Sequence, residues 1–135
     1  MADQRDYLTL GIDIDLPAAA VSAFLAVPEN FQLWASGLGE LSRQADGSWI
    51  ARMPQGAMRV RFTPANPYGI ADHYVQPAEG NEIYVPMRVI ANGSGATLLF
   101  TLFRYPGVTD AQLQADADWV RRDLATLKAL LEQAP

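Results

Sequence analysis

The stretch that decides the fold is ATLLFTLFRYPGVTDAQLQADADWVRRDLATLKALLEQ, residues 96–133. Residues 96–104 alternate, with Leu98, Phe100 and Leu102 on one face, as a half-buried strand requires. Pro106-Gly107 stops that strand, and the apolar period changes from two to that of a helix. Leu113, Ala117, Val120, Leu124, Leu127 and Leu131 follow a 4-3-4-3-4 spacing. At about 100° per residue they form one stripe, which predicts a helix over residues 109–133. Thr109 with Gln112 matches a capping box, and Asp110 sits where the helix dipole favours negative charge. Trp119 and Leu130 widen the stripe, and Asp116 and Asp123 fall inside the widened sector. A wide arc suits a helix lying in the concavity of a sheet. Carboxylates in that arc need partners, because a buried unpaired charge is costly.

Upstream, the pattern is strand-rich. Residues 8–16 alternate Leu8, Leu10, Ile12, Ile14 and Leu16 against Thr9, Gly11, Asp13 and Asp15, a half-buried strand. Pro17 suits a first helical turn, with Asp15 as cap candidate, and residues 18–26 carry Val21, Phe24 and Leu25 at helical spacing. Pro28 restarts a second short helix over 29–34, which ends at Gly37 and Gly39. A weaker strand at 38–44 and the Asp46-Gly47 turn follow. Residues 49–53 and 57–62 flank Pro54-Gln55-Gly56 as a hairpin. Strands are further predicted at 70–75 and at 82–90, where Ile83, Val85, Met87 and Val89 share a face.

At 135 residues, half of them hydrophobic, the chain is one domain, 1–135, able to bury a core. A net charge of -5 weighs against nucleic acid or an anionic membrane as partner, since both demand basic patches. Cysteine is absent, which removes disulfides and thiolate nucleophiles and fits a cytoplasmic location. No run is long and apolar enough for a membrane span, and residues 1–6 lack the apolar core of a signal peptide. Neither a nucleophile elbow nor a nucleotide-binding glycine motif occurs, and one histidine without cysteine makes no zinc site. No cofactor and no metal are expected.

Five segments carry a family resemblance: Asn30-Phe31-Gln32-Leu33-Trp34, Ile70-Ala71-Asp72-His73-Tyr74, Val85-Pro86-Met87-Arg88-Val89, Thr101-Leu102-Phe103-Arg104 before Pro106-Gly107, and Asp123-Leu124 with Leu127-Lys128. With the order strand, two helices, strands and long last helix, the chain resembles the START/Bet v 1 (SRPBCC) superfamily over nearly its whole length. Within it, the chain is similar to small bacterial polyketide cyclase/dehydrase-like proteins. The resemblance implies an α+β helix-grip fold: a curved antiparallel sheet of six or seven strands around the C-terminal helix, with two short helices after the first strand. It also implies a cavity for a lipid or polyketide-like ligand. Three functions fit: binding of a small, mainly apolar ligand; a cyclase, dehydratase or isomerase acting on one; or an interaction module, monomeric or homodimeric, whose cavity has closed.

The candidate site residues follow from parity. If Met58, Val60 and Phe62 face inward, Arg59 and Arg61 face outward, and Asp72 would pair with one of them across the sheet. That turns His73 inward, either as a general acid or base or as a satisfied wall residue. Arg104 continues the parity of Leu98, Phe100 and Leu102, so it either reaches a cavity mouth or pairs with Asp116 or Asp123. In an enzyme, His73 and Arg104 would be the catalytic pair. Arg88, opposite Met87, is expected in solvent. Trp34, Trp49, Met58, Met87, Phe100 and Trp119, with Met53, are candidates for apolar contact with a ligand.

Overall fold

The computed structural model describes residues 2–53 and 56–133, so the expected Pro54-Gln55 turn lies outside the described residues. The chain runs β1 (Tyr7–Ile14), α1 (Ala18–Leu25), a 3-10 turn (Pro28–Leu33), β2 (Glu40–Arg43), β3 (Trp49–Met53) and β4 (Gly56–Phe62). Then come β5 (His73–Pro77), β6 (Ile83–Val85), β7 (Met87–Asn92), β8 (Gly95–Phe103) and α2 (Asp110–Glu132). Every strand pair is antiparallel. The predicted α+β architecture, a sheet gripping a terminal helix, is present. Burial in β1 alternates as read: Leu10 and Ile14 are buried while Thr9, Gly11 and Asp13 are exposed. β1 pairs with β8 along its length, Leu10 opposite Phe100 and Ile12 opposite Leu98.

Two departures from the sequence reading matter. The strand expected over 82–90 is split at Pro86, which raises the strand number to eight and divides the ladder into sheets β1-β8-β7 and β2-β3-β4-β5-β6. Proline has no N–H to give a ladder, so the line of the chain changes partner there. Before Pro86 it pairs with β5, after it with β8. The strand expected at 70–75 begins only at His73. Residues 69–71 instead stitch the two sheets: the Ala71 N–H donates to the Met87 carbonyl at 2.9 Å and the Val89 N–H to the Gly69 carbonyl at 2.8 Å. This close approach needs glycine. Gly69 has φ 73°, and a Cβ there would lie 2.1 Å from the Val89 oxygen.

The helices follow the reading more closely. The Thr109 hydroxyl accepts from the Gln112 N–H at 3.1 Å, so α2 starts on its predicted cap. Leu113, Ala117, Leu124, Leu127 and Leu131 are buried, and Val120 is half-buried. Asp15 does not cap α1, whose N-cap is Pro17 with no side-chain hydrogen bond. Its N–H donates instead to Glu132 Oε2 at 2.7 Å, joining the end of α2 to β1. The second expected helix is a 3-10 turn, opened by Pro28. No helix among the described residues is long and apolar enough to cross a membrane.

Candidate functional site

A cavity of about 480 Å³ lies between the N-terminal half of α2 and the concave sheet. Phe31, Trp34 and Leu38 close one end of it. His73 and Val75 of β5 and Ile83 and Val85 of β6 form its floor, and Phe100 and Leu102 of β8 the side. Leu113, Trp119 and Val120 of α2 form the roof. Thr101 and Phe103, of opposite parity to Phe100, also line it, and the split sheet explains why. β6 and the far end of β8 share no ladder. The Tyr84 N–H left over at that edge donates to the Tyr105 hydroxyl at 2.9 Å. Tyr84, Phe103 and Tyr105 therefore border the cavity on one side and an outer cleft with Arg5 and Glu82 on the other.

The strand break leaves backbone groups that must be paired. Asp72 serves that need, and its position corrects the sequence reading. It is buried under Arg88, which lies on the face opposite Met87, rather than paired with Arg59 or Arg61, which pair elsewhere, with Asp46 at 3.4 Å and Glu82 at 3.0 Å. Asp72 Oδ1 accepts from the Met87 N–H, the first donor after Pro86, at 2.9 Å. It also accepts from Arg88 Nε at 2.9 Å, and Oδ2 from the Tyr84 hydroxyl at 2.7 Å and a second Arg88 nitrogen at 2.9 Å. Arg88 lies exposed on the face opposite Met87, as expected, and there it is also the ion-pair partner of Asp72. Burial raises the Asp72 carboxyl, but the hydrogen bonds from Arg88, Tyr84 and Met87 outweigh it and hold the group below the usual carboxylate range.

His73 faces inward as predicted, 5 % exposed, with ring centroids of Phe31, Phe62 and Phe100 at 5.3, 6.0 and 6.3 Å. Burial among these rings pushes its imidazole down to about 4; the Ala71 backbone and the Asp72 charge only partly oppose that. The ring is neutral at pH 7. Its Nδ1 has no hydrogen-bond partner, and neither has Nε1 of Trp34, another wall residue.

Arg104 is not on the cavity wall. β8 ends at Phe103, one residue before it, so the parity argument stops short. Arg104 Nε donates to the Val108 carbonyl at 2.9 Å, and the guanidinium pairs with Asp110, not with Asp116 or Asp123. The His73–Arg104 pairing considered for an enzyme is therefore not assembled. Trp34, Phe100, Trp119 and Met53 reach the wall, whereas Trp49, Met58 and Met87 do not. Met87 is fully buried in the core, Trp49 packs edge-on against Phe62, and Met58 lies opposite Ala51 in the β3–β4 ladder.

The charged side chains on the wall are Asp116 and Asp123, and burial pushes both carboxyls up. Asp123 accepts from the Ser36 hydroxyl at 2.7 Å and its N–H at 3.2 Å, and the Ser36 oxygen accepts from Trp119 Nε1 at 2.6 Å. This triad ties the segment after the 3-10 turn to α2. Asp116 has no side-chain hydrogen bond or ion pair among the described residues. Ser36, Tyr105 and Val108 escaped the sequence reading because loop positions carry no period. The described residues hold no cluster of three or more potential metal ligands.

No protein-family model and no curated protein matches the sequence. Solved structures do match in shape. A START superfamily protein from Mycobacterium smegmatis superimposes with TM-score 0.69 at 12 % identity, over 94 % of this chain and 97 % of that one. Ara h 8.0201, a Bet v 1-like protein, gives TM-score 0.70 at 8 % identity, over 96 % and 99 %. DynU16, a protein of the dynemicin biosynthetic locus, gives TM-score 0.69 at 18 % identity, with 94 % of this chain covering 47 % of that one. At such identities the likeness is one of fold: the helix-grip fold of START/Bet v 1-like (SRPBCC) proteins.

Proposed function

We propose that this protein binds a small, mainly apolar ligand, lipid or polyketide-like, in the cavity between α2 and the sheet. The observation that carries the reading is the cavity itself. Its volume of about 480 Å³ falls among ordinary small-molecule sites, and its wall is aromatic and aliphatic with few polar groups. Trp34, Phe100 and Trp119 supply contact area, and His73 a neutral polar edge. START/Bet v 1-like neighbours make such a use of the fold reasonable, without naming a ligand.

Native mass spectrometry and thermal shift against fatty alcohols, sterols and polycyclic aromatics test the reading. A one-to-one complex is expected. At a free ligand concentration 100 times Kd, about 2.7 kcal/mol of stabilisation should accompany it. Leu102→Trp, which fills the wall from β8, should abolish the complex while the protein stays folded. An absence of binding across the panel, or binding unaffected by that substitution, overturns the reading.

A further inference from the structure

The two sheets part at a place that bears on the cavity. The β7–β8 ladder ends with Met87 opposite Phe100, and the Thr101 N–H still reaches the Pro86 carbonyl at 3.0 Å. Past that bond β6 and β8 share no ladder, so a gap in the sheet runs on to Tyr84 and Phe103. The Tyr105 side chain stands in it. Its hydroxyl accepts from the Tyr84 N–H at 2.9 Å, and it borders the cavity on one side and the outer cleft on the other. On the cleft side the Arg5 guanidinium lies over its ring, 4.6 Å from the centroid.

The outer cleft suits an apolar visitor. It measures about 580 Å³, its wall includes Tyr7, Tyr84, Phe103 and Tyr105, and Tyr7 is 62 % exposed. Aromatic rings bared to water offer apolar molecules a landing surface. The opposite mouth of the cavity is held more firmly. There Ser36 gives Asp123 two hydrogen bonds and takes one from Trp119, and a ligand passing the rim meets the Asp116 and Asp123 carboxylates. Hydrogen bonds to a charged acceptor are about twice as strong as neutral ones. At Tyr105 one neutral hydrogen bond and one cation–π contact close the way.

We propose that the Tyr105 side chain is the door through which an apolar ligand enters and leaves the cavity, with Arg5 as its latch. This rests on the ligand-binding reading above and adds a route to it. Rotation of one side chain joins cleft and cavity, and no strand-to-strand bond breaks. A door acts on entry and exit alike, so weakening it speeds both and leaves affinity unchanged.

Stopped-flow mixing of the full chain with 1-aminoanthracene, an uncharged apolar fluorophore, tests this. Energy transfer from Trp34 and Trp119 on the wall reports entry, and dilution of the complex reports exit. Tyr105→Phe keeps the ring and loses the hydrogen bond, so both rates should rise about fivefold. Arg5→Ala should raise both about threefold, as expected for one exposed cation–π contact. Arg5 is not on the cavity wall, so its effect reaches the ligand through Tyr105. The dissociation constant should stay within about twofold of the native value in both variants. Unchanged rates in both variants, or rates that rise with Ser36→Ala and not with Tyr105→Phe, overturn the door and leave the cavity standing. A weaker complex with an unchanged entry rate makes Tyr105 a wall contact and overturns the door as well. No binding of the fluorophore by the native chain overturns the cavity reading and the door together.

Discussion

The two halves of α2 carry the same apolar stripe and do different things with it. The C-terminal half is closed. Leu124, Leu127 and Leu131 are buried, Lys128 Nζ donates to the Asp13 carbonyl at 2.6 Å, and Glu132 accepts from the Asp15 N–H at 2.7 Å. The N-terminal half is open. Leu113, Val120 and Trp119 roof a cavity, and Trp119 is 48 % exposed. The helix itself is regular throughout, so the difference lies beneath it. Under the closed half runs β1, fully paired with β8; under the open half runs the seam where Pro86 parts β6 from β7. One end of the helix is therefore fastened to continuous sheet, and that leaves the other end free to span a gap.

The largest expected effect separates these halves. Leu127→Ala empties a site with no exposed surface and should cost about 4 kcal/mol, measured by chemical denaturation. Leu113→Ala faces space that already exists and should cost less than half as much. Equal losses would mean that the two halves are packed alike, which would break the comparison.

A second effect belongs to the open half and to pH. His73 titrates near 6.5 when unfolded and near 4 when folded. Between those values the unfolded chain binds more protons, so stability must fall as pH drops from 7 to 4. The whole loss is about 3 kcal/mol, and His73→Phe should remove it. Asp72 acts in a lower window. Its depressed carboxyl contributes stability above its ordinary 3.8, lost only as pH falls through the folded value. Denaturation midpoints from pH 7 to 4 report His73, and a further drop below pH 3.8 reports Asp72; a flat profile from pH 7 to 4 for the native sequence would place His73 in water.

The seam gives the third effect. Asp72→Ala leaves the Met87 N–H without its partner, while Arg88 and Tyr84, both partly exposed, can turn to water. A loss of about 2 kcal/mol is expected, with the thermal midpoint of the protein as readout. Gly69→Ala acts on the same seam by steric means and should be at least as damaging.

What was legible in the sequence divides along the same line as the helix. Periodicity reports elements whose side chains alternate or repeat, so β1, β8, the α2 stripe and its Thr109 cap could be read directly. His73 could be turned inward by parity alone. Parity fails where a ladder changes partner, and although Pro86 marks such a point, it does not say which strand the chain pairs with next. Parity on β4 offers Arg59 and Arg61 as partners for Asp72, whereas its partner Arg88 comes from β7, across the junction of the two sheets. Arg104 was assigned to the inward face because the alternation was carried one residue past the strand's end. Trp49, Met58 and Met87 are apolar and buried or half-buried as their types suggest. Whether an apolar side chain borders a void or a neighbour depends on how the two sheets diverge, which is a three-dimensional property.

The smallest effect tests how the open half is kept in place. Ser36 bridges Trp119 and Asp123 across the cavity rim, at 2.6 and 2.7 Å. The bridge is solvent-accessible, and exposed hydrogen bonds of this kind contribute little, so Ser36→Ala should cost only about 1 kcal/mol of global stability. Its local effect should be larger. Without the hydroxyl, the Trp119 indole loses its acceptor and the Asp123 carboxylate a donor, and the segment after the 3-10 turn loses a tie to the roof. Trp119 emission should shift to the red, and amide exchange should quicken in residues 35–39 but not around Leu127. Exchange that quickened equally at both ends of α2 would show the helix moving as one body, and the contrast between its halves would then be one of shape only.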